Sequence, residues 1–181
     1  IVLDNELMSK HTSYGIGGKV LAYIRPFNKY ELIKIIKLLN EHNSKIYFVG
    51  SGSNLLVNDK KINAYIITPA KALKLLNIDD NIITAESGVM LGKVVKESIK
   101  HNLTGLEGLV GVPGTLGGAI MMNAGAWGAE ISNYLISVHI VSKDGEIKKL
   151  YPSDIEFKYR YSSFSSNEFI LSAKFKLNKS S

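Results

Sequence analysis

The chain has 181 residues, 45% of them hydrophobic and 21% charged, a balance that belongs to folded domains and excludes disordered, collagen-like and coiled-coil chains. It contains no cysteine, which excludes disulfide frameworks, thiolate nucleophiles and thiolate metal sites, so any redox chemistry must come from a bound cofactor. The formal charge of +6 rests on scattered lysines, with Arg25 and Arg160 the only arginines; without an arginine-rich reading surface or a basic-aromatic stripe, nucleic acid is not an expected partner.

Residues 20–24 read as a strand. Asn28 then offers an N-cap with Glu31 three residues on, the spacing of a capping box. Leu32, Ile35, Ile36 and Leu39 recur at i, i+3, i+4 and i+7, one face of a helix, while Lys34 and Lys37 fall on its wet side. Residues 45–49 are β-branched and aromatic and break at Gly50, which completes a β-α-β unit.

Short strands are predicted at residues 55–57, 64–67 and 82–86. A second amphipathic helix spans residues 91–101, with Leu91, Val94, Val95 and Ile99 facing inward. Seven of the 16 glycines lie between Gly108 and Gly128. Strand character resumes at 135–142, Asp144-Gly145 signals a hairpin into 146–150, Pro152 opens a short helical turn, and residues 169–177 alternate as a final strand. This order implies an α+β fold with two lobes, the boundary lying near Pro69 where strand character ends.

No stretch approaches the roughly 18 apolar residues of a membrane helix, and residues 1–10 lack the basic-then-apolar pattern of an export signal. Neither a membrane association nor export is expected, and the location implied is cytoplasmic. His11, His42, His101 and His139 stand far apart, none at metal-ligand spacing with another, so no metal site is expected. Gly50-Ser51-Gly52 is out of frame for a nucleophile elbow.

Two glycine loops carry the chemistry. The first, Gly50-Ser51-Gly52-Ser53-Asn54-Leu55, leaves a buried strand, and successive amides in such a turn form an anion-binding nest. It matches neither a dinucleotide fingerprint nor a Walker loop, and alone it reads more readily as a tight surface turn. The second runs from Gly108 to Gly128. Pro113-Gly114 sets a turn, Thr115 can cap, and residues 116–122 can form a short helix whose amides and positive dipole end face an anion. Gly117-Gly118 inside that helix costs roughly 1 kcal/mol per glycine relative to alanine. Close approach of a flat ligand or tight helix packing would each offset it. Two phosphate-cradling loops suggest a dinucleotide with its pyrophosphate between them. Near the end, Arg160 sits in Tyr159-Arg160-Tyr161-Ser162, where a planar, permanently charged donor suits a carboxylate or phosphate; a surface ion pair or stacking on the tyrosines is the plainer alternative.

In order along the chain, His11-Thr-Ser-Tyr-Gly-Ile-Gly-Gly18, the loop Gly50 to Leu56, Gly105 to Ala119, Met122-Asn-Ala-Gly-Ala-Trp-Gly128 and Tyr159-Arg-Tyr-Ser162 resemble the UDP-N-acetylenolpyruvoylglucosamine reductases of bacterial peptidoglycan synthesis. The resemblance implies a two-lobed FAD-binding fold of the vanillyl-alcohol-oxidase (PCMH) type, with residues 1–68 as the first lobe and 69–181 as the second. It implies FAD as cofactor, NADPH as hydride donor and a UDP-sugar as substrate. The residues implied to hold FAD are Gly50, Ser51, Gly52, Ser53, Asn54, Leu55, Val112, Gly114, Thr115, Gly117, Gly118, Asn123 and Gly125, and the catalytic residue is Arg160. Members of that family continue into a substrate-binding domain with a serine proton donor and a late glutamate. The expectation is therefore an FAD-binding part that is incomplete for turnover. At Gly15 many relatives carry a basic residue, and no role is expected there. The alternatives are another FAD-dependent oxidoreductase of the same superfamily or a non-catalytic nucleotide-binding module.

Overall fold

A computed structural model describes residues 1–180. Strands β1 (Val2–Asp4), β2 (Val20–Ile24), β3 (Ile46–Phe48) and β4 (Ile62–Ile67) form a first sheet in the order β1-β2-β4-β3, with β4 parallel to both β2 and β3. Helix α1 (Lys29–Glu41) makes the crossover from β2 to β3 and leaves a gap that β4 fills, so the β-α-β unit skips one position in the sheet. Asn28 caps α1 by accepting from the Glu31 amide at 2.9 Å, while the Glu31 carboxylate accepts from the Phe27 amide at 2.6 Å. The expected box thus reaches one residue further back than its usual partner, the cap's own amide.

The second sheet is wholly antiparallel. It contains β5 (Leu76–Asp79), β6 (Ile82–Glu86), β7 (Leu135–Ser142), β8 (Ile147–Leu150) and β9 (Glu168–Lys176), in the order β8-β7-β9-β6-β5. Helices α2 (Leu91–Lys100) and α3 (Leu116–Met121) cover one face, where Leu91, Val94, Val95, Leu116 and Ile120 meet Ile83, Val138, Ala173 and Phe175. On the other face Val141, Phe169 and Leu171 meet Leu32 and Ile36 of α1 and Ala22, Ile24 and Ile67 of the first sheet. Helix α1 is therefore shared by both sheets, and Asn40 near its end donates to Asp144 in the β7–β8 turn at 3.0 Å.

Three expectations change. Residues 55–57 are loop rather than strand, and Leu56 is 78% exposed: an apolar run without a partner strand has no ladder to satisfy its backbone. In α2 the inner position after Val95 belongs to Ser98, whose hydroxyl donates to the Val95 carbonyl at 2.7 Å, while Ile99 faces out. In β9 a bulge lies at Leu171, because the pairing slips between His139↔Ser172 and Ile140↔Ile170. One extra residue flips the alternation, so Phe169 and Leu171 turn toward the first sheet while Ala173 and Phe175 turn toward α2 and α3.

Candidate functional site

The two sheets leave a cleft of about 660 Å³ between them, within the roughly 300–1,000 Å³ of ligand sites. The first lobe contributes the end of β3 and the loop that follows it. The second contributes Ser87 after β6, residues 112–115, α3 and the start of β9. Gly50, Ser51, Gly52, Ser53, Asn54, Leu55, Val112, Gly114, Thr115, Gly117, Gly118, Gly125 and Arg160 all stand in its wall. Segments separated by more than 100 residues in the sequence thus converge on one space.

The two glycine loops touch. Ser53 donates its hydroxyl proton to the Pro113 carbonyl at 3.2 Å, and the Thr115 hydroxyl lies so close to Gly50 that a Cβ there would collide with it. Gly50 is therefore required by loop-to-loop contact. Gly117 has a similar origin, since a Cβ there would lie 2.8 Å from the Ser87 Cβ. Gly118 differs: the nearest atom to its Cβ position is the Thr115 hydroxyl at an ordinary 3.7 Å, and the residue is exposed on the cleft wall. There the missing side chain leaves room for a ligand. Tight packing thus accounts for Gly117, while at Gly118 a side chain would meet only the Thr115 hydroxyl at ordinary distance.

The donors are distributed differently from the expectation. Thr115 occupies the N-cap position of α3 without a side-chain cap bond, and the Leu116 and Gly117 amides donate to the Val89 and Ser87 carbonyls at 2.8 and 2.9 Å. Those amides cannot serve an anion. In the first loop, none of the main-chain amides from Ser51 to Leu55 donates to a main-chain acceptor among the described residues. Free amides with the Thr115 hydroxyl make a neutral donor set for a phosphate. The rest of the lining is largely apolar, with Phe48, Val49, Met121, Ala124 and Ile170 suited to a flat ring system.

Among the described residues, Arg160 is the only basic side chain in the cleft wall. It occupies a two-residue turn between the paired strands Phe157–Lys158 and Tyr161–Ser162, at φ 55, a left-handed conformation costing a non-glycine residue roughly 1 kcal/mol. Such strain persists where surrounding contacts over-determine it. Ser162 donates to the Met121 carbonyl at 2.6 Å, docking the hairpin on the end of α3. Lys158 is held by Glu156 at 2.6 Å, and that hydrogen bond raises its pKa. Arg160 has no carboxylate partner among the described residues, and its guanidinium carbon lies 5.0 Å from the Tyr159 ring centroid. The only acid in the wall among the described residues, Glu168, accepts from the Ser165 amide at 2.9 Å.

Asn123 does not reach the cleft. It is fully buried behind the wall, where its amide donates to Glu130 and to the Lys158 carbonyl. Ser87, Met121, Met122, Phe169 and Ile170 line the cleft without having been expected there. Met122 opens one of the five motifs, the other four carry none, and Phe169 and Ile170 come from the start of β9.

A cleft between a mixed lobe and an antiparallel lobe, walled by two touching glycine loops, defines a flavin-nucleotide-binding domain. Residues 20–151 match the family model of the FAD binding domain, and the chain belongs to that family, whose cofactor is FAD. Within it the chain is similar to UDP-N-acetylenolpyruvoylglucosamine reductases, as the motifs implied. It is 41% identical over 174 residues to that reductase from Streptococcus mutans serotype c, covering 96% of this chain and 56% of the relative. The chain spans a little over half the length of the curated relatives it matches. The crystal structure of the Thermus caldophilus reductase superposes with a TM-score of 0.81 at 26% identity, over 100% of this chain and 63% of the other. The glucose dehydrogenase Phl p 4.0202 superposes with a TM-score of 0.72 at 14% identity over 98% of this chain and 41% of the other, a likeness of fold alone. These likenesses agree with the α+β, PCMH-type fold expected from the motifs. No helix among the described residues is long and apolar enough to cross a membrane.

Proposed function

We propose that the chain holds FAD across the interlobe cleft, with residues 1–68 and 69–181 as its two lobes, and serves the NADPH-linked reduction of UDP-N-acetylglucosamine enolpyruvate to UDP-N-acetylmuramate, a cytoplasmic step of peptidoglycan precursor synthesis. The observation that carries this reading is the convergence of the two glycine loops and an unpaired Arg160 on one cleft. The names and similarity of the relatives support the choice of substrate.

When bound, FAD would supply two-electron redox chemistry between NADPH and the enol-ether double bond. The loop Gly50–Leu55 would hold the pyrophosphate with its free amides. Val112, Gly114 and Thr115 would line its other side, and Gly118, whose Cβ position is open, would leave space for the ring system. Arg160 orients the substrate carboxylate with its planar fork. As hydride adds to the alkene, negative charge spreads toward that carboxylate, and a preorganised guanidinium stabilises the transition state more than the ground state.

Purified protein should be yellow or take up FAD with a perturbed flavin spectrum. In the full-length protein, Arg160→Ala should lower turnover of the enolpyruvyl substrate on the order of 100-fold, the scale of a lost oxyanion donor, while flavin content stays unchanged. A colourless protein that fails to take up FAD contradicts the cofactor reading, and near-normal turnover in Arg160→Ala contradicts the role of Arg160.

A further inference from the structure

We infer that Asn123 is a positioning residue that holds the Arg160 turn in register with the cleft wall, an inference that rests on the catalytic reading of Arg160. Asn123 follows α3 at φ 40, left-handed, with none of its surface exposed. Its amide nitrogen uses both protons: one goes to a Glu130 carboxylate oxygen at 2.9 Å and the other to the Lys158 carbonyl at 3.1 Å. Lys158 pairs with Tyr161 directly below the two-residue turn that carries Arg160. The bond therefore grips the base of that turn.

Glu130 ties in the other side. It lies in the hairpin Gly125–Ala126 and Ala129–Glu130, whose Gly125 stands in the cleft wall. A Cβ at Gly125 would lie 3.1 Å from the Glu130 side chain and 3.5 Å from Nη1 of Arg160. Asn123 thus knots the hairpin that carries the guanidinium to the hairpin that lies beside it.

The side chain is selected for its two donors. Its carbonyl oxygen is buried with no partner, a burden that an apolar residue of similar volume would not carry. Aspartate in its place would set a carboxylate against the Glu130 carboxylate and the Lys158 carbonyl with no proton to offer. A residue that served packing alone has no use for this arrangement, whereas catalysis is sensitive to shifts of about 1 Å in an orienting group.

The test is a double-substitution cycle with kcat read in the FAD-loaded full-length protein, and a spectroscopic readout on this chain. Asn123→Ala should lower kcat on the order of tenfold or more, leaving FAD stoichiometry and the KM for the hydride donor unchanged. Asn123→Ala combined with Arg160→Ala should be no slower than Arg160→Ala alone, because the two act as a unit. With ¹³C-labelled guanidinium carbons, the two arginines of this chain give two signals. Asn123→Ala should move the Arg160 signal toward its free-arginine position and leave that of Arg25 in place. If Asn123→Ala fails to fold, Glu130→Ala, which removes one of the two acceptors, should show the same pattern in weaker form. Multiplying losses in the double variant, or an unmoved Arg160 signal, overturn the positioning role. Normal turnover in Arg160→Ala overturns instead the reading on which it rests.

Discussion

Gly50→Ala tests how the two lobes meet. Gly50 does not have a positive φ, so its backbone would accept alanine; what forbids a side chain is the buried Thr115 of the other lobe. A Cβ at Gly50 would collide with the Thr115 hydroxyl and lie 3.2 and 3.3 Å from its Cγ2 and Cβ. Relief requires the loops to separate by about 1 Å, an overpacking that costs roughly 1–3 kcal/mol. At about 2–4 °C per kcal/mol for a chain of this size, Tm should fall by roughly 4–8 °C for a 2 kcal/mol cost. FAD affinity should fall by about tenfold or more if 1.4 kcal/mol of that strain bears on the bound loops. Thr115→Ala deletes the hydroxyl and the methyl and leaves only the 3.3 Å contact. Gly50→Ala with Thr115→Ala should therefore be more stable than Gly50→Ala alone. Thermal unfolding with and without FAD, together with a flavin fluorescence titration, reads both effects. A Gly50→Ala protein with unchanged Tm and unchanged affinity would refute the loop contact.

The paired glycines of α3 should respond in opposite ways. Gly117→Ala should destabilise despite alanine's helix propensity, because its Cβ meets Ser87 at 2.8 Å, and Ser87→Gly should rescue it in a melting curve. Gly118→Ala, with an ordinary 3.7 Å contact, should raise apoprotein stability by up to about 1 kcal/mol while weakening FAD binding in the same titration. Arg160→Gly should relieve the left-handed strain and gain up to about 1 kcal/mol in chemical denaturation, while losing turnover. Burial holds the His139 imidazole below its usual pKa, with Lys29, Lys149 and Lys174 adding repulsion. The unfolded chain then binds the proton more readily than the fold, so stability should decline as pH falls through about 6.5. His139→Gln should flatten that slope, and an unchanged slope would remove His139 as its cause.

The major elements were legible because burial on one face leaves a period in the sequence. Helices α1 and, apart from Ile99, α2 follow that rule, whereas the strands at 20–24 and 135–142 bury both faces and show as apolar runs. What escaped depends on partners distant in the chain. The place of β4 between β2 and β3 has no local signature. The bulge at Leu171 interrupts an alternation that looks regular on paper, and in Leu55-Leu56-Val57 the apolar residues Leu55 and Val57 pack on the core of the first sheet without entering a strand. At the site, the motifs marked the right loops, yet the reason for each glycine became visible only with its neighbour: Thr115 for Gly50, Ser87 for Gly117, and open space for Gly118. Asn123 shares a motif with Gly125 and lies two residues away, but the left-handed turn sends its side chain inward to the Arg160 hairpin.

The central claim is that FAD lies across the two lobes with its pyrophosphate between the touching glycine loops. A crystal structure of the FAD-bound protein tests it most directly. The account predicts pyrophosphate oxygens within hydrogen-bond distance of the amides of the loop Gly50–Leu55 and beside Gly114 and Gly118, with the ring system extending toward Gly125 and Arg160. Flavin density elsewhere on the molecule, or a pyrophosphate held by lysines outside the cleft, would contradict it.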